Sequence, residues 1–171
     1  AERGVPVALF RAALPKAGTD AAKAADLWSG TFSPLSDLRL KPGDVVIDAL
    51  YGAGFKGTLK GDDARAVEAV NQSGLPVLSV DLPSGLNGLT GLHDGPVIRA
   101  GRTVTFLRKK PGHLLLPGRD LCGETSVADI GITARTLNDC GIRLFENTPA
   151  MFDSLMPVHS FQTHKYARGM A

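Results

Sequence analysis

No stretch of this chain approaches the roughly 18 consecutive apolar positions of a membrane-spanning helix, so the sequence predicts no membrane partner. Strong charge of either sign is also missing. A net charge of +2 and a pI near 8.7 are too weak and too dispersed to argue for nucleic acid. Arg108-Lys109-Lys110 is the one basic cluster, and it reads as a solvated strand end. The two cysteines, Cys122 and Cys140, lie far apart and match no metal spacing, which fits reduced thiols in a cytoplasmic protein. The histidines show no H-E-x-x-H spacing, and His93, His113 and His159 read as loop residues. No Gly-Lys-Ser/Thr closes the glycine stretch, which excludes a P-loop. No G-x-S-x-G surrounds Ser84, which argues against an acyl nucleophile. There is no initiator Met, no internal repeat and no low-complexity segment.

What remains suits one globular core. Apolar residues make up 43% and charged residues 21% of the 171, enough to bury one full domain plus a remnant. Ala1-Glu2-Arg3-Gly4 reads as the last turn of a helix closed by glycine, so the chain reads as starting inside a β-α-β unit. A strand is predicted over 5–12. Thr19 should cap a helix from Asp20 to about Ser29, with Trp28 in a packing role. The helix through Ala66, Val67 and Val70 should begin at Asp62 or Asp63 and end at Ser73-Gly74. Strands are expected over 76–80, 103–107 and 126–130, then a short helix over 133–140 and a final strand over 142–145. The glycine-rich loop 84–101 is long enough to suggest a function. Strands alternating with helices give an α/β fold, a three-layer αβα Rossmann-like arrangement with a mostly parallel sheet.

The organising stretch runs from Asp44 to Gly57. Val45, Val46, Ile47, Ala49 and Leu50 make a near-continuous apolar run, the pattern of a strand covered on both faces, and Asp48 interrupts it near the end. A lone acid there is expected to meet something charged. Pro76 to Val80 repeats the design, with Asp81 ending it and Leu82-Pro83-Ser84-Gly85 turning away; Gly85 permits a left-handed turn. Two parallel strands would then bring two carboxyl groups to the edge where open sheets bind ligands. Gly52-x-Gly54-x-x-Gly57 also matches the dinucleotide fingerprint, with Asp81 as a ribose-binding acid. An NAD-dependent oxidoreductase would need a helix opening at Gly54, yet Thr58-Leu59-Lys60-Gly61 delays it. A non-enzymatic ligand-binding module is a third reading.

Four ordered blocks, V-I-D-A-L-Y-G-A-G-F-K-G, S-V-D-L-P-S-G-L-N, T-V-T-F-L-R-K-K-P-G-H and V-A-D-I-G-I, resemble the YjeF N-terminal domain, the NAD(P)H-hydrate epimerases. The tail 162–169, with H-K-Y-A-R-G, resembles the entry into an ADP- or ATP-dependent NAD(P)H-hydrate dehydratase domain. The resemblance implies residues 1–147 as the epimerase domain and 148–171 as a linker and the start of the dehydratase. It implies epimerisation of (R)- and (S)-NAD(P)H hydrate, a small dinucleotide substrate, in nicotinamide-nucleotide repair. It further implies a potassium ion held by Asp48 and Ser84. Substrate contacts would come from Gly52, Ala53, Gly54, Phe55, Lys56, Gly57, Thr58 and Asp81, with Asp81 catalytic. The family's G-x-x-N-N-G-G-D-G phosphate loop would precede Ala1, so this stretch alone is expected to turn over slowly. Oligomeric state, self-association included, stays open.

Overall fold

A computed structural model describes residues 4–156. The histidine at 159 and the H-K-Y-A-R-G tail lie outside the described residues, as do the first three of Ala1-Glu2-Arg3-Gly4. The chain divides into two compact units between Ile132 and Thr133. In the first, β1 (Leu9–Arg11) and β2 (Phe32–Pro34) form a two-stranded parallel sheet, joined by α1 (Asp20–Asp26). The Thr19 hydroxyl accepts from the Ala22 amide and caps α1, as the sequence pattern predicts. A second parallel sheet runs in the order β3 (Val46–Asp48), β4 (Val77–Val80), β5 (Arg102–Phe106), β6 (Glu124–Ala128). Between β3 and β4 lies α2 (Gly61–Ser73), stopped by Gly74 in the left-handed conformation at φ +67°. This is the α/β architecture of parallel strands and helices that the alternating pattern predicts, of three-layer Rossmann-like class.

Two apolar clusters hold the four-stranded sheet. Val67 and Val70 of α2 pack with Leu59, Val77, Ile98 and Ala100. Leu82, Leu86 and Val97 pack with Leu121 and Cys122, the last two on α3 (Gly118–Cys122), a short helix between the strands expected over 103–107 and 126–130. The long loop 84–101 therefore enters the core at its two ends, while Leu89, Thr90 and the stretch 92–94 between them are exposed. The chain leading into it, 82–86, is buried throughout, and Asn71 of α2 clamps the loop's far end through the Val97 carbonyl and the Arg99 amide. Gly85 is required there: at φ +98° a Cβ would sit 2.4 Å from the Pro96 carbonyl oxygen.

Two expectations fail. β3 is not covered on both faces, for it forms the edge of its sheet, and Val45 and Ile47 are 66% and 64% exposed. An apolar run signals the capacity for burial, whereas covering it takes a neighbouring element. Residues 142–145 form no strand; they follow α4 (Ala134–Asp139) in the second unit as irregular chain, their apolar side chains exposed. Beyond them, among the described residues, that unit holds two single 3-10 turns, Pro149–Met151 and Asp153–Leu155. Among the described residues no helix is long and apolar enough to cross a membrane. Cys122 and Cys140 are both free thiols.

Candidate functional site

The parallel register of β3 and β4, with Asp48 opposite Ser79, carries two acids to one sheet edge. Asp48 is 4% exposed. Its Oδ1 accepts from Ser84 Oγ at 2.5 Å and, more weakly, from the Leu50 amide at 3.5 Å. Its Oδ2 accepts from the Ser84 amide at 2.8 Å and Ser79 Oγ at 2.9 Å. The expected charged partner is not among these contacts. Four neutral dipoles meet the acid instead, which is another way to make burial of a carboxyl group tolerable. Ser84 Oγ also accepts from the Tyr51 amide at 3.0 Å and lies 3.5 Å from the Tyr51 carbonyl oxygen. Carboxyl, hydroxyl and carbonyl oxygens so close together are the donors a hard cation takes, so the residues present fit such an ion.

Asp81 follows β4 in an unusual backbone state. Its φ is +69°, and the Leu82 amide donates back to the Val80 carbonyl at 3.0 Å, closing a strained three-residue γ-turn around it. Leu107 does the same after β5, with φ +66° and Arg108 N–H to Phe106 carbonyl at 2.7 Å. The second turn folds the chain back on itself, and Lys110 returns to the sheet edge. Its Nζ lies 2.6 Å from Asp81 Oδ1, 2.8 Å from Thr105 Oγ1 and 3.3 Å from the Phe106 carbonyl oxygen. Thr105 Oγ1 also donates to Asp81 Oδ1 at 2.9 Å, and the Ala53 amide donates to Oδ2 at 2.9 Å. The ion pair is largely enclosed, with side-chain exposures of 26% for Lys110 and 19% for Asp81. Burial pushes the Asp81 carboxyl up. The hydrogen bonds from Lys110, Ala53 and Thr105, with the Lys110 charge, outweigh it and hold the group below the ordinary carboxylate range.

The glycine loop lies against both acids. Successive stretches of its backbone serve the two sites, Leu50 and Tyr51 through Asp48 and Ser84, Ala53 through Asp81. Gly52 allows the approach, since a Cβ there would stand 2.9 Å from Asp81 Oδ2. Gly54, Lys56, Gly57 and Thr58 face solvent, while Phe55 packs on Tyr51 with ring centroids 5.0 Å apart. The Tyr51 hydroxyl donates to Asp63 in the first turn of α2, and that hydrogen bond, with burial and the Asp63 charge, pushes the phenol up to about 12. The loop is thus pinned to the helix by a phenol that stays protonated. Because α2 opens at Gly61 and not at Gly54, the dinucleotide fingerprint does not take its helical form, which tells against the oxidoreductase reading.

Of the anticipated residues, Asp48, Ser84, Gly52, Ala53 and Asp81 meet at this edge, while Gly54, Lys56, Gly57 and Thr58 follow along the loop in solvent; two further residues arrive at Asp81. Lys110 is not a solvated strand end but the counter-ion of Asp81. His113 does lie in the connection between β5 and α3, as expected of a loop residue, but it is 3% exposed, in the 3-10 turn Pro111–His113. The available signal was position: a basic cluster just past a strand's carboxyl end stands on the same edge as an acid past the carboxyl end of its neighbour.

Residues 6–112 match the family model described as "YjeF-related protein N-terminus", which takes in β1 to β5 and both acids. The chain is 41% identical over 128 residues to a protein of Thermofilum pendens named bifunctional NAD(P)H-hydrate repair enzyme Nnr, a match covering 75% of this chain and 24% of that protein. A protein of the same name in Vibrio cholerae is 32% identical over 180 residues, covering 98% of this chain and 35% of the relative. An NAD(P)H-hydrate epimerase of Elusimicrobium minutum is 38% identical over 109 residues, 63% of this chain and 48% of the relative. The chain therefore spans between about a quarter and a half of the length of these relatives.

Proposed function

This chain belongs to the family of YjeF-related protein N-termini, and from that membership we propose that it epimerises the (R) and (S) hydrates of NADH and NADPH. The observation that carries the reading is the enclosed Asp81–Lys110 pair at the carboxyl ends of β4 and β5, beside a glycine loop open to solvent. Epimerisation beside a ring nitrogen needs one proton placed twice. The hydroxyl oxygen takes a proton, the carbon–oxygen bond breaks with its electron pair leaving on water, and the nitrogen lone pair forms the iminium. Water then adds to the opposite face and returns its proton, so atoms and charge balance.

A carboxyl held below its ordinary range is charged at neutral pH and by itself has no proton to give. Coupled to the Lys110 ammonium at 2.6 Å, it becomes half of a proton-sharing unit: lysine supplies the proton, and Asp81 carries it and faces the cation that forms. The glycine loop 52–58 would contact the dinucleotide, with backbone amides and Lys56 available to phosphate. Potassium would be held by Asp48 and Ser84, supplying positive charge near those phosphates. On the sequence resemblance, residues beyond 147 lead toward an ADP- or ATP-dependent dehydratase.

The test is proton magnetic resonance of a single NADPH-hydrate epimer incubated with the chain. Exchange between the two epimers faster than the spontaneous rate is expected. Tight binding of unmodified NAD with no acceleration of exchange would return the oxidoreductase or binding-module readings.

A further inference from the structure

The strained turns at Asp81 and Leu107 are the two non-glycine positive-φ positions among the described residues, and they end adjacent strands. Asp81 and Lys110 meet only because both turns hold. One ring bridges them. His113 Nε2 lies 2.7 Å from the Asp81 carbonyl oxygen, and its Nδ1 lies 2.9 Å from the Lys110 amide nitrogen. A carbonyl can only accept and an amide N–H can only donate, so the geometry fixes the protonation: Nε2 carries the hydrogen and Nδ1 is bare. The same residue closes its own turn through its amide to the Lys110 carbonyl at 3.0 Å, and Gly112 anchors that turn to the Gly88 carbonyl at 2.8 Å.

We propose that His113, as the neutral Nε2–H tautomer, is the positioning residue of the Asp81–Lys110 couple, tying the backbone after β4 to the backbone after β5 and so setting the ion-pair distance. This rests on the epimerase reading only where turnover is concerned. The charged or titratable groups bonded to Asp81 are Lys110 and His113, from the segment after β5; Asp48, at the end of β3, is bonded instead by Ser79, Ser84 and Leu50. Burial, the largest influence on the ring, lowers its pKa, and the neighbouring Lys110 charge acts the same way. The contact with the Asp81 carbonyl and the Asp81 charge oppose this without reversing it. A neutral ring at neutral pH is what the hydrogen-bond geometry requires.

The experiment uses the full 171-residue chain. Nitrogen-15 resonances of the His113 ring at pH 7 should report the Nε2–H tautomer; a charged ring or the Nδ1–H tautomer would overturn the proposal. Carbon-13 titration of the Asp81 carboxyl should then move upward in pH in His113→Phe, which keeps ring volume and loses both bonds. His113→Gln, which can still donate to the Asp81 carbonyl, should return the midpoint toward wild type. Should the Phe variant fail to fold, His113→Asn, keeping only an acceptor for Lys110, should show the same upward move. Midpoints unchanged in folded variants would reduce His113 to ordinary packing. For exchange, kcat should fall about 10- to 100-fold in the Phe variant with KM within a few-fold, as expected for misplacement of about an ångström. If the wild-type chain accelerates no exchange, the functional reading falls, while the tautomer and the carboxyl titration still decide this one.

Discussion

Asp48 and Asp81 mark the ends of two neighbouring parallel strands and are written into the sequence in much the same way, as an acid closing an apolar run before a turn. Their surroundings differ in every respect that matters for chemistry. Asp48 sits on β3 itself, sealed at 4% exposure and met by two hydroxyls and two amides. Asp81 stands one step beyond β4 with its backbone turned into the left-handed region, and its carboxyl meets a lysine, a threonine and one amide of the glycine loop. Neutral dipoles can hold a buried acid in place but offer it no proton of useful acidity. A lysine counter-ion keeps an acid charged and leaves it in proton contact with a partner. On this comparison we propose anchoring for the first strand end and proton transfer for the second.

The sharpest way to break that division is Asp81→Asn. The amide keeps shape and hydrogen bonding but cannot shuttle a proton, so epimer exchange at saturating substrate should fall by about 100- to 10,000-fold while substrate still binds. A variant that still exchanges rapidly, read by proton magnetic resonance, would move the chemistry elsewhere.

Asp48 should respond in stability before anything else. Asp48→Ala leaves the Ser79 hydroxyl and both Ser84 donors facing no acceptor, and urea unfolding should show a loss of about 3 kcal/mol. In Asp48→Asn the amide oxygen can still take the Ser84 N–H while Ser84 Oγ turns to accept, so the loss should be about 1–2 kcal/mol and any rise of Tm with added potassium should disappear. Ser84→Ala should do the same more mildly, at about 1 kcal/mol. A Tm indifferent to potassium in the parent chain would remove the cation from this strand end.

The smallest effect is in the pH dependence. Both His113 and Asp81 have lowered folded-state values, so the unfolded chain binds protons more readily at each. Stability from His113 should be complete above about pH 6.5 and decline as pH falls below it; that from Asp81 should be complete above about pH 4 and decline below. His113→Gln should flatten the first decline and leave the second. A parent chain equally stable at pH 7 and pH 5 would count against the buried neutral ring.

The amino-acid sequence by itself determined what depends on neighbours along the chain. The Thr19 cap and the Gly74 stop follow from local backbone chemistry, as does the left-handed turn at Gly85, and the two strand-ending acids follow from the position of a polar residue in an apolar run. The four ordered blocks carried the family in the same linear way. The partners of those acids were decided in three dimensions. Lys110 and His113 lie 29 and 32 residues from Asp81, and they reach it because parallel pairing sets β5 beside β4 and because a strained turn after each strand reverses the chain. Leu has no propensity that announces a left-handed backbone, and that of Asp is too weak to announce one; those residues hold it because surrounding hydrogen bonds over-determine it. The same limit explains β3, whose apolar residues promised burial that its edge position leaves open.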